Sequence, residues 1–82
     1  PIYAAGSGTV IIAKSSGYNG GYGIYMVIDH GAGVQTLYSH MSSLAVSGGS
    51  VSKGAVIGYV GNTGKSTGSH LHFEVRGAIS PF

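Results

Sequence analysis

The chemistry-bearing side chains of this chain are few: four histidines, two acids and no cysteine in 82 residues. They concentrate in the stretch HLHFEVR, residues 70–76. Alternation along a strand puts His70, His72, Glu74 and Arg76 on one face and Leu71, Phe73 and Val75 on the other, which reads as core. Two strand rises separate the two imidazoles by about 6.5 Å at their Cα atoms. At that spacing one ring can ligate a metal while its neighbour leans toward a water. A lone strand histidine is most often solvated or packed, but a second one on the same face, behind a glycine-rich loop, points to metal or catalytic work. Imidazole is a preferred zinc ligand, and a catalytic zinc takes three protein ligands and leaves a position for water.

The other polar candidates divide by context. His40 in TLYSHMS stands at a strand end, where taken alone it reads as a packed or surface residue. Asp29 and His30 in VIDHGAG lie at a hairpin turn, where a polar pair serves the turn. If Gly31–Gly33 forms that turn, His30 pairs near Val34 and His40 falls opposite Ile24, about 17 Å away by strand rise, so the two cannot share one metal. Glu74 can accept a hydrogen bond from a ligating histidine, although pairing with a basic residue across the strands is the favoured reading. Tyr18 and Tyr22, in the loop SSGYNGGYG, are the tyrosines best placed to touch a ligand. The loop GNTGKSTGSH contains Gly64, Lys65 and Ser66, yet Tyr59 stands where a phosphate-binding loop needs glycine, and a strand follows where a helix is required.

The elements that must position these groups are strands. The segments at residues 8–14, 23–30, 34–41, 55–61 and 70–76 are rich in β-branched and aromatic residues and bounded by turn residues, and no window supports a helix. Sixteen glycines against two prolines fit tight turns between short strands. The expected fold is all-β, a small compact antiparallel sheet with glycine-rich loops, in one domain spanning residues 1–82. SVSKGAVIGYVG, residues 50–61, has the strand pattern of half a biotinyl or lipoyl carrier domain, but no Met-Lys or Asp-Lys pair stands at its turn.

Composition removes several classes of function. A net charge of +2 arises from four basic and two acidic residues. Lys14, Lys53, Lys65 and Arg76 are scattered singly, so nucleic acid is not an expected partner. No apolar run approaches the roughly 20 residues of a membrane-spanning helix, and no leader pattern opens the chain. The abrupt start at PIYAAG suggests a piece of a longer polypeptide. A domain this small without disulfides gains from a metal or a partner surface.

The segments GTV, VIDHGAGVQTLYSHMS and VSKGAVIGYVGNTGKSTGSHLHFEVR together resemble the lysostaphin-type zinc endopeptidases, peptidase family M twenty-three, over nearly the whole chain. The resemblance implies a groove floored by one zinc ion, with a peptide cross-link of bacterial peptidoglycan as substrate and action outside the cell, in the wall or periplasm, in a bacterial or phage protein. It implies His72 as a zinc ligand. It also implies His40 and His70 as the catalytic pair, assisting water attack on the scissile carbonyl as base and as stabiliser of the developing oxyanion. The family's other two ligands come from an H-x-x-x-D motif upstream of PIYAAGSGTV, which this chain does not contain. The expectation is therefore a zinc peptidase domain lacking its first metal segment and inactive as these 82 residues alone. The alternative is a family member that binds peptidoglycan, or serves as a structural or regulatory module, without cutting. A third reading has His40, His70 and His72 grasp a metal by themselves.

Overall fold

A computed structural model describes residues 1–61, 63 and 71–77 of the chain. The strands are β1 (Ile2–Tyr3), β2 (Gly8–Lys14), β3 (Ile24–Gly31), β4 (Val34–Leu44), β5 (Gly49–Val51), β6 (Val56–Val60) and β7 (His72–Arg76). A single 3-10 turn at Asn19–Gly21 is the sole helical element among the described residues. All pairings are antiparallel, in the order β1-β6-β4-β3-β2-β5, with β7 also paired to β4. Strand β4 is long enough to serve two neighbours along one edge. Its first half, Gln35–Ser39, pairs with β7, and its second half, Met41–Leu44, pairs with β6.

The β3–β4 hairpin turns on Ala32 and Gly33, both with positive φ (53° and 79°). That combination gives a two-residue connection whose twist matches the flanking strands. The turn is one residue tighter than the 31–33 loop expected from sequence, so Gly31, and not His30, pairs with Val34. Asp29 serves the turn as anticipated, its Oδ1 accepting the Gly31 N–H at 2.9 Å.

Alternation sorts β3 and β4 into two faces. Met26 and Ile28 lie beside Tyr38 and Thr36 in register. With Ile2, Ala4, Val10, Met41, Val51 and Ile57, the apolar members of this group form the core. Tyr38 is anchored by its hydroxyl, which accepts the Ala5 N–H at 3.0 Å and lies 2.8 Å from Thr36 Oγ1. His30 extends that chain: Nε2 is 2.7 Å from Thr36 Oγ1, and Nδ1 is 2.8 Å from the Ser7 carbonyl. His30 therefore ties the β1–β2 connection to the hairpin and performs the structural role expected of it.

The expectation for Leu71, Phe73 and Val75 needs correction. Leu71 packs against the core, but Phe73 and Val75 are exposed at 43% and 56%. Among the described residues β7 has β4 on one side and no strand on the other. Phe73 thus reaches the rim of the core, with its ring 5.2 Å from that of Tyr38, while its outer side faces solvent.

Candidate active site

The second face of the sheet carries the candidate chemistry. Val27, Leu37 and Glu74 lie side by side across β3, β4 and β7, and Ser39 lies beside His72. Val27, Leu37 and Ser39 are fully buried beneath the polar row. Strand β7 pairs with β4 alongside this floor, and its polar side chains His72, Glu74 and Arg76 are partly open to solvent.

His40 is brought to His72 by an irregularity in β4. Regular pairing would set His40 opposite Ile24, but the register slips so that Ile24 pairs with Met41 and Met26 with Tyr38, leaving an extra residue on β4. His40 takes the left-handed backbone conformation there, with φ of 58°. This conformation is unfavourable for a residue with a Cβ and persists only where surrounding bonds enforce it. Two backbone bonds do so: His40 N–H donates to the Tyr22 carbonyl at 2.9 Å, and the His40 carbonyl accepts the Gly61 N–H at 3.0 Å. The buried His40 ring ends with its centroid 6.0 Å from that of His72, edge toward face.

Each ring has a defined protonation pattern. His40 Nδ1 lies 2.6 Å from the Thr63 carbonyl. A carbonyl only accepts, so Nδ1 carries the hydrogen and the neutral ring has its lone pair on Nε2. His72 is oriented the opposite way. Its Nε2 lies 2.7 Å from Glu74 Oε2 and donates to that carboxylate, which leaves the lone pair of the neutral ring on Nδ1.

Glu74 is itself held. Arg76 Nε donates to its Oε1 at 3.0 Å, and Arg76 Nη2 lies 2.9 Å from the same oxygen. Arg76 Nη2 also donates to the Tyr22 hydroxyl at 2.6 Å, and its guanidinium carbon stands 5.7 Å from the Tyr22 ring centre. The hydrogen bond from His72 is the largest influence on the Glu74 carboxyl; burial opposes it next, and the bond and charge of Arg76 add to the lowering, so the group is held below its ordinary value of 4.5. The bond to Glu74 likewise raises Arg76. The expected cross-strand partner of Glu74 is thus replaced by Arg76 on its own strand. Side chains two residues apart on a strand share a face, and here the long guanidinium folds back along it.

Of the three sequence candidates, the structure brings His40 and His72 together, and His70 lies outside the described residues. Tyr22, from the loop singled out for its tyrosines, has its ring 6.5 Å from that of His72. Thr63 and Arg76 were not singled out from sequence for the contacts they make. A threonine within the glycine-rich sequence that follows β6 was a usable signal for Thr63. Among the described residues no group of three His, Cys, Asp or Glu side chains converges to hold a metal ion. Among the described residues His72 suits a zinc site, having a carboxylate on one ring nitrogen and a lone pair on the other.

The site is thus an antiparallel β-sheet carrying two facing imidazoles beside a buried floor. The model of peptidase family M23 matches residues 1–81, and the chain belongs to that family. The DD-carboxypeptidase/endopeptidase Mpg of Neisseria meningitidis is 48% identical over 80 residues, covering 90% of this chain and 19% of that protein. The chain spans about a fifth of the length of the curated relatives it matches. The catalytic domain of the antimicrobial peptidase lysostaphin from Staphylococcus simulans superposes with a TM-score of 0.83 at 34% identity, covering 98% of this chain and 61% of that one. A zinc containing peptidase from Vibrio cholerae superposes with a TM-score of 0.76 at 39% identity, covering 85% of this chain and 21% of that one.

Proposed function

We propose that this chain is part of a zinc-dependent endopeptidase that hydrolyses peptide cross-links of bacterial peptidoglycan, acting outside the cytoplasmic membrane where that polymer lies. The observation that carries the reading is the His40–His72 pair, 6.0 Å apart, with complementary tautomers set by Thr63 and Glu74. Family membership and the DD-endopeptidase relatives support the substrate class. The zinc containing peptidase among the structural relatives supports the metal.

In this reading His72 supplies one ligand through Nδ1, and two more come from an H-x-x-x-D segment of the parent protein upstream of Pro1. When bound, zinc would supply a Lewis acid that polarises the scissile carbonyl. His40 Nε2 takes the proton of the attacking water, because its lone pair is fixed there while Nδ1–H is committed to Thr63. His70 is assigned the developing oxyanion. Tyr22 and Arg76 border the site and contact the peptide chain of the substrate. Their aromatic and cationic surfaces suit a peptide bearing carboxylates.

The test uses the full-length protein, purified peptidoglycan, and variants His40→Ala and His72→Ala. Cleavage that is abolished by a chelator, restored by zinc and lost in both variants is expected. Chelator-resistant cleavage would overturn the metal assignment. Wall binding without any cleavage, surviving His72→Ala, would instead identify a binding module.

A further inference from the structure

We propose that Thr63 is a positioning residue for His40, selecting its tautomer and holding the strained turn of β4 that presents it. The inference rests on the catalytic reading of His40 and goes beyond it, since no property of the reaction requires this threonine.

Thr63 is bonded through both of its oxygens. Its hydroxyl donates to the Met41 carbonyl at 2.6 Å and accepts the Ile24 N–H at 3.0 Å. Its carbonyl accepts from His40 Nδ1 at 2.6 Å. Ile24 and Met41 are register partners on β3 and β4 at the place where β4 carries its extra residue. The Thr63 hydroxyl is thus inserted into the ladder where the irregularity opens it, satisfying one donor and one acceptor. The two strands hold the hydroxyl, and the carbonyl of the same residue is thereby aimed at the imidazole.

The arrangement has a chemical consequence. A backbone carbonyl cannot donate, so it enforces Nδ1–H and keeps the lone pair on Nε2. In water the Nε2–H form of neutral imidazole predominates modestly, so the site holds the ring in the form less favoured in solution. Without the clamp, the φ of 58° at His40 has one fewer constraint beside it. A ring free to flip or change tautomer would offer its lone pair in the wrong direction for much of the time.

The experiment compares Thr63→Val, which keeps the shape and removes the hydroxyl, with Thr63→Ser, which keeps the hydroxyl, in the full-length protein. Nitrogen-15 NMR of the imidazoles reads the tautomer directly, and peptidoglycan cleavage is measured well below the melting temperature of each variant. The Nδ1–H form of His40 is expected in wild type and Thr63→Ser, and a mixture of tautomers in Thr63→Val. Cleavage should fall about 10- to 100-fold in Thr63→Val through loss of alignment and recover most of that loss in Thr63→Ser. A Thr63→Val protein with an unchanged His40 tautomer would overturn the proposal, as would a Thr63→Ser protein as impaired as Thr63→Val. If the wild type cuts no peptidoglycan, the proposed function fails, while the tautomer measurement still decides the role of Thr63.

Discussion

Adding one methyl group at Gly61 should disturb the site more than its size suggests. A Cβ built on Gly61 would stand 2.5 Å from the Ser42 nitrogen, 2.7 Å from its Cα and 2.8 Å from its Cβ. The tightest of these is roughly 1 Å short of van der Waals separation. Two of the three opposing atoms are backbone, so no rotamer change relieves the overlap and β4 must move away from residue 61. Ser42 is two residues beyond His40, and the Gly61 N–H holds the His40 carbonyl at 3.0 Å. The displacement therefore falls on the segment that carries the strained histidine. Overpacking of this kind costs about 1–3 kcal/mol. In a domain of this size each kcal/mol lowers the melting temperature by about 4–8 °C. A shift approaching 1 Å at a catalytic side chain costs up to about 100-fold in rate. Gly48→Ala is the control, because a Cβ there meets nothing within 4 Å, and it should change stability by less than about 0.5 kcal/mol. Thermal unfolding and peptidoglycan cleavage, the latter measured where both variants are folded, give the two readouts. A Gly61→Ala protein matching Gly48→Ala in melting temperature and rate would refute the coupling between this close approach and the site.

Three further outcomes follow from the same contacts. Glu74→Gln should weaken zinc binding about 10- to 100-fold in a chelator competition, because an amide accepts weakly from His72 Nε2 and no longer offers a charge to Arg76; its effect on unfolding should stay below about 1 kcal/mol, since the pair is exposed to solvent. Ala32→Gly should stabilise the hairpin by about 1 kcal/mol in chemical denaturation, because the φ of 53° at Ala32 is unfavourable for any residue with a Cβ. Tyr38→Phe should cost about 1–3 kcal/mol in the same assay by stranding the Ala5 N–H and removing the partner of Thr36 at a buried position.

Much of the fold was legible because strand alternation is a local property. The segment 8–14 coincides with β2, and the segments at 23–30, 34–41, 55–61 and 70–76 each overlap a strand. Strands β1 and β5, of 2 and 3 residues, were missed because so short a run shows no periodicity. The extension of β4 to Leu44 was also hidden, since the chain passes through the irregularity at His40 before resuming its pairing. Alternation placed Phe73 and Val75 on the core-facing side of β7, yet it could not report that they stay exposed. Burial depends on what lies across the strand, which no local pattern contains.

Residue types and their order determined the all-β class, the polar row of His72, Glu74 and Arg76, and the family to which the chain belongs. They also marked Tyr22 and His40 as worth following. Tertiary structure alone decided which side chains meet. Thr63 lies 23 residues from His40 in sequence, and Tyr22 lies 52 from Glu74. Such contacts are created when β3, β4 and β7 align in register, so their identity depends on long-range pairing. The direction of each histidine lone pair depends in turn on those contacts: a carbonyl beside one ring and a carboxylate beside the other.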